Sequence, residues 1–163
     1  MSTDAPQPVR AEIPPGARVA VVAARFNARI VDELLAGCLR GLEALGLPDD
    51  RIETHRVPGA FELPVAAKVL ARTGKFSAVI CLGCVVRGDT PHFDYVAGEA
   101  ARGIQQVAID EALPVIFGVL TTNTEQQALD RIGGTHGHAG ERAAEAAVEM
   151  VAMVAGARGK ETR

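Results

Sequence analysis

The chain has 163 residues, with 17 Lys and Arg against 20 Asp and Glu, for a net charge of −3. That balance gives no basic field for nucleic acid, and no apolar run is long enough to span a bilayer. Such a length fits one domain with a real core.

Residues 1–15 read as a flexible arm. They contain prolines and acids but no apolar h-region, so they do not resemble a secretory leader, and a cytoplasmic location is the expectation. Residues 16–156 are expected to form a single domain, followed by a polar tail over 157–163. A first strand is predicted from about Arg18 to Ala23. Asn27 then offers an N-cap for a helix from Ala28 to about Leu45, with Ile30, Leu34, Leu35, Cys38, Leu42 and Leu45 at helical spacing. Gly46 and Pro48 end it.

A second strand is predicted over Ile52–Val57, then the loop from Pro58 to Glu62 and a helix from near Leu63 to Ala71. Pro64 is tolerated there only in the first turn. The third strand, Ala78 to Val86, is an almost unbroken apolar run. After the loop Arg87–Pro91 a helix carries His92 in its first turn and is regular from about Asp94 to Glu111. A fourth strand, Val115 to Leu120, leads to Thr124 and Gln127, a capping box for a short helix reaching Ile132. Gly133 and Gly134 interrupt the pattern, and a last helix runs from about Ala139 to Val154.

Cys38, Cys81 and Cys84 make an odd count without a disulfide framework. Cys81 and Cys84 have C-x-x-C spacing, but they lie within a predicted strand, where residues three apart point to opposite faces. They read as small core residues. His136 and His138 flank Gly137 without an acid-rich neighbourhood, so no metal site is expected.

Apolar strands alternating with helices predict an α/β three-layer sandwich. Its four-stranded, mostly parallel sheet has helices on both faces. Right-handed crossovers place all strand ends on one edge, where open sheets bind ligands. That edge collects Phe26–Asn27, Gly59–Glu62, Arg87–His92 and Thr121–Asn123. In the third loop Gly88 admits close backbone approach, Asp89 or Thr90 can cap, and Pro91 suits a first helical position. The free amides of that helix start suit an anion, and a histidine in its first turn, His92, is the residue type that can carry a proton in such a site. Phe26 reads either as a staple of the helix start or as a platform for a flat heterocycle. Glu62 reads as a first-turn carboxylate or as a ligand-hydroxyl acceptor. Arg131 ends the short helix, where a cation is favourable in any case. No G-x-G-x-x-G, G-x-S-x-G or P-loop is present.

Four segments carry a family resemblance: Ala24-Arg25-Phe26-Asn27, Val57 to Pro64, Gly83 to Val96, and Phe117 to Gln126. Over about Arg18 to Val154 the chain resembles the 6,7-dimethyl-8-ribityllumazine synthase family, with a flavodoxin-like fold. The resemblance implies condensation of 5-amino-6-(D-ribitylamino)uracil with 3,4-dihydroxy-2-butanone 4-phosphate, without a cofactor. It implies that Phe26 stacks on the pyrimidine, that Ala60, Phe61 and Glu62 bind the ribityl side, and that Val85 and Val86 give backbone contacts. It further implies that Asp89 and Thr90 bind phosphate through amides and that His92 moves protons. Arg131 then holds the phosphate, and Phe117 reaches in from a neighbouring subunit. The partners implied are the two small-molecule substrates and further copies of the chain, in a ring of five that some members stack into a shell. The segment after Arg131 departs from the family pattern. Thr135 and Ala139 stand where lysines are common, and Arg142 stands where a glutamate often supports the histidine. The rival readings are a riboflavin synthase of archaeal type and a shell protein that binds flavin or lumazine without turnover.

Overall fold

The computed structural model describes residues 11–159. Most of the expected arm, and residues 160–163 of the expected tail, lie outside them. The elements are β1 (Val19–Ala24), α1 (Ala28–Ala44), β2 (Ile52–Val57), α2 (Leu63–Arg72) and β3 (Ala78–Val86). They continue with α3 (His92–Glu111), β4 (Val115–Thr122), α4 (Glu125–Leu129), β5 (Ile132–Gly134), β6 (Gly137–His138) and α5 (Ala139–Arg158). Strands β1 to β4 form one fully parallel sheet in the order β2-β1-β3-β4. β5 and β6 form a separate small antiparallel hairpin.

The parallel strands fix where the core lies. Val19, Val21 and Ala23 of β1, with Ile80, Leu82 and Cys84 of β3, face α1 and α5. Ala20 and Val22, with Val79 and Cys81, face Leu63 and Ala67 of α2 and Ala100, Ile104 and Val107 of α3. Alternate residues thus feed opposite layers, which is why β1 and β3 are apolar on both faces. Cys81 and Cys84 fall in different layers, as their spacing predicts. Burial pushes the thiols up, to about 12 for Cys38 and Cys81 and about 11 for Cys84. Thiols that hold their protons so firmly are packing groups rather than nucleophiles.

Helices α1 and α5 approach closely because glycines line their crossing. A Cβ on Gly140 would lie 2.1 Å from the Leu34 carbonyl oxygen, and one on Gly37 would lie 2.0 Å from the His138 ring.

Several boundaries differ from expectation. β4 runs on to Thr122 and α5 to Arg158, so part of the expected polar tail is helical. Ala11 and Ile13, within the expected flexible arm, pack against the α1–α5 layer. The hairpin β5–β6 replaces the simple break expected at Gly133–Gly134. Gly133 and Gly137 both take positive φ there (106° and 71°), so the glycines turn a strand back rather than merely ending a helix.

Candidate active site

The order β2-β1-β3-β4 makes the β1/β3 pair the switch point of the sheet, the place where such folds bind ligands. The ladder between these strands ends at Ala23 and Leu82, while β3 continues to Val86. The last residues of β3 therefore have no strand beside them on the β1 side. Along this stretch Arg87 N–H donates to Thr122 O (2.8 Å) on the β4 side. By alternation Val85 also turns its main chain toward β4, whereas Cys84 and Val86 turn theirs toward β1. The Cys84 carbonyl accepts from Asn27 Nδ2 at 2.8 Å, and beyond it the Val86 main chain has no neighbouring strand on the β1 side among the described residues.

Asn27 holds the expected N-cap position of α1, but not through its side chain. It sits in the left-handed region (φ 55°), which Asn tolerates better than most residues, and its side chain makes no cap. Its carbonyl instead accepts the first helical bonds, from Ile30 and Val31 N–H (3.0 and 3.1 Å). The amide side chain is thereby released to bridge the switch point. Next to it the β1–β2 ladder continues past the strands, with Arg25 N–H donating to Val57 O and Phe26 N–H to Pro58 O (2.8 and 3.0 Å). That holds Phe26 beside the β2 loop with the residue 74% exposed, too open to be stapled under a helix.

Around this point lies a cleft of about 630 Å³. Its lining comes from the ends of β1, β2 and β3 and includes Phe26, Ala60, Phe61, Glu62, Val85, Val86, Thr90 and His92. Ala60–Glu62 form a 3₁₀ turn before α2, closed by Glu62 Oε2 accepting from Gly59 N–H at 2.9 Å. The second carboxylate oxygen of Glu62 has no hydrogen-bond partner among the described residues and can accept from a ligand hydroxyl. Tyr95 and Val96 of α3 also line the cleft. They escape a reading confined to loops, because one turn into the helix already returns to the cleft wall; the helical phase of His92 is the signal that would have found them.

At the start of α3 the N-cap position is Pro91, with no side-chain cap. This corrects the expectation that Asp89 or Thr90 caps and that Pro91 begins the helix. Thr90 Oγ1 accepts a long bond from His92 N–H (3.4 Å), and the Asp89 and Thr90 amides have no acceptor among the described residues. Proline supplies no side-chain oxygen, so the helix start keeps donors free for an anion. His92 is exposed, and its ring has no hydrogen-bond partner among the described residues.

Asp89, Phe117 and Arg131 are not among the residues lining the cleft. Phe117 projects from β4 with 43% of its surface exposed. Arg131 Nη1 donates to Gln127 O at 2.6 Å, at the end of α4. The α4 cap forms through Thr124 Oγ1, which accepts from Gln127 N–H (3.2 Å), but Gln127 returns its bond to Asn123 N–H (2.9 Å) instead of to Thr124. Arg131 is tied to the hairpin by Ala139 N–H donating to its carbonyl (2.7 Å). Arg142 Nη1 donates to His136 O (2.8 Å), so this cation fastens the hairpin from α5.

Fold and cleft together define a flavodoxin-like α/β protein with a preformed ligand site at the carboxyl edge of its sheet, of the kind that binds small molecules. The profile of a family described as 6,7-dimethyl-8-ribityllumazine synthase matches residues 16–155. A protein named 6,7-dimethyl-8-ribityllumazine synthase, from Desulfatibacillum aliphaticivorans, is 49% identical over 136 residues, covering 83% of this chain and 88% of that protein. The chain belongs to the 6,7-dimethyl-8-ribityllumazine synthase family.

Proposed function

We propose that the chain condenses 5-amino-6-(D-ribitylamino)uracil with 3,4-dihydroxy-2-butanone 4-phosphate to 6,7-dimethyl-8-ribityllumazine, releasing phosphate and water, as a cytoplasmic step of riboflavin biosynthesis. Besides family membership, one observation carries the reading: an exposed aromatic, a half-free carboxylate and an unpartnered imidazole, from three separate strand ends, line one cleft.

In this reading the pyrimidine stacks on Phe26 and meets the main chain of Val86, with Val85 as a wall. The ribityl chain runs along Ala60 and Phe61 to the free oxygen of Glu62. The phosphate sits on the Asp89 and Thr90 amides. Imine formation between the amine and the ketone loses one water, elimination releases phosphate, and ring closure by the ribityl-bearing nitrogen on the remaining carbonyl loses a second water. These steps move protons, which suits the imidazole of His92, a side chain that can both donate and accept a proton. Holding two substrates in reacting geometry supplies much of the remaining acceleration, and no cofactor is required.

Phe117 and Arg131 act in this scheme on the site of a neighbouring copy, within a ring of five. Supporting this are their places outside the cleft and the apolar residues exposed away from it: Val65 and Val69 on α2, Ile109 on α3, and Met150 and Met153 on α5. The assay is direct. The two substrates together should give a product with lumazine fluorescence and free phosphate. Folded protein that yields neither, or that converts lumazine alone to riboflavin, would overturn the reading.

A further inference from the structure

The start of α3 poses an electrostatic problem. Its free amides favour an anion, yet Asp94 places a carboxylate in the same first turn. A first-turn acid suits the helix dipole but repels a second negative charge arriving at that terminus. Arg87, at the end of β3, answers this. Its Nη2 and Nη1 donate to Asp94 Oδ1 and Oδ2 (2.8 and 3.3 Å). Its Nε donates to Asn123 Oδ1 just beyond β4 (3.2 Å), and its guanidinium lies 4.1 Å over the Phe93 ring.

Exposed ion pairs usually contribute little, but a bidentate fork held by a third hydrogen bond and an aromatic face is the exceptional geometry. The loop Gly88–Pro91 is spanned by this clasp, from the residue before it to the first helical turn after it. The Arg87 hydrogen bonds hold the Asp94 carboxyl below the usual carboxylate range, so Asp94 stays charged and needs its partner.

We infer that Arg87 is a positioning residue for the four-carbon phosphate: it neutralises Asp94 and fixes the Gly88–Pro91 loop so that the α3 amides meet the anion. This rests on the phosphate reading of that helix start given above. Three of the five guanidinium N–H donors, one on each nitrogen, are engaged by Asp94 and Asn123, and that fixes the group facing the loop clasp, so Arg87 acts through the loop.

The test is steady-state condensation by the assembled protein, with each substrate varied in turn. Arg87→Met should raise the apparent KM for the phosphate substrate by about tenfold, with kcat and the KM for the pyrimidine changed by less than about twofold. Adding Asp94→Asn to that variant should bring the KM back to within about threefold of the parent, because the charge that needed neutralising is gone. Arg87→Lys, which keeps the charge but loses the fork, should fall between. An unchanged KM in Arg87→Met would overturn the inference, as would equal losses for both substrates. So would failure of Asp94→Asn to rescue, which would mean that Arg87 touches the phosphate itself or serves only as a brace. If the parent protein makes no lumazine, the phosphate reading fails and takes this inference with it; a parent that turns over normally leaves the variants to judge Arg87 alone.

Discussion

Phe26, Glu62 and His92 each ride a few residues beyond a strand of one parallel sheet, whereas Arg131 sits between a five-residue helix and a hairpin of two very short strands. The first group is placed by the main chain: ladders that overrun β1, a strand that outlasts its neighbour, a helix start with free amides. The second has only short main-chain ties, such as Ala139 N–H to the Arg131 carbonyl, and leans on side chains as well. His138 Nδ1 accepts from Gly140 N–H (3.2 Å) with its ring over Gly37, and Arg142 clasps the His136 carbonyl. Main-chain positioning tolerates many sequences, while side-chain positioning depends on a few particular contacts. Changes in the cleft should therefore alter kinetics and spare stability, and changes around the hairpin should reach stability as well.

The largest effect should come from Gly140→Ala. A methyl group there meets the Leu34 carbonyl oxygen at 2.1 Å, and backbone on both sides leaves little room to yield. The α1–α5 layer should lose about 3 kcal/mol or more, read as a lower urea midpoint. A midpoint within experimental error of the parent would show that the helices can separate freely.

His92→Ala should leave that midpoint unchanged, since the side chain is exposed. It should lower kcat by roughly a hundredfold with little change in either KM, as expected for a proton-transfer group. A rise in KM with kcat intact would make His92 a binding residue instead.

Arg131→Ala should raise the KM for the phosphate substrate about tenfold, and that for the pyrimidine far less. Equal effects on both substrates would remove the phosphate role. Arg131→Lys should recover little if the contact is a fork, because an ammonium lacks that geometry.

The smallest effect should be a pH dependence centred on His138. With Nδ1 accepting, the proton belongs on Nε2, which is buried without a partner among the described residues. Burial lowers the pKa of this ring from 6.5; Glu141 and Glu33 pull it up and Arg40 and Arg142 push it down, and the loss of water outweighs them. The folded state therefore prefers the neutral ring. Its contribution is complete above the unfolded value of about 6.5 and is lost as pH falls through the lower folded value. Denaturant midpoints measured across that window should decline toward acid, and His138→Gln should flatten the decline. An equal decline in the variant would assign it to other groups.

The same contrast explains what the sequence disclosed. Apolar runs on both sides of Gly83 made β3 readable to the residue, and parallel topology then required the loops after β1, β2 and β3 to share one edge. The Asn27 bridge to Cys84 was hidden because a lone Asn before a helix looks like a cap. The hairpin was hidden because Gly-Gly and Gly137 look like breaks, and strands of three and two residues have no periodicity to detect. The Arg87 clasp needs a contact between Arg87 and Asn123 across two strand ends, which no local pattern contains.

If the two regions are halves of one site contributed by different copies, they can be separated and recombined. His92→Ala and Arg131→Ala proteins, each nearly inactive under limiting phosphate substrate, can be unfolded and refolded together. Some interfaces in the mixed assemblies then carry both defects and others neither, so lumazine synthesis should partly return, in proportion to the fraction of intact interfaces. A monomer by light scattering, or no recovery in assemblies shown to contain both variants, would contradict the shared site.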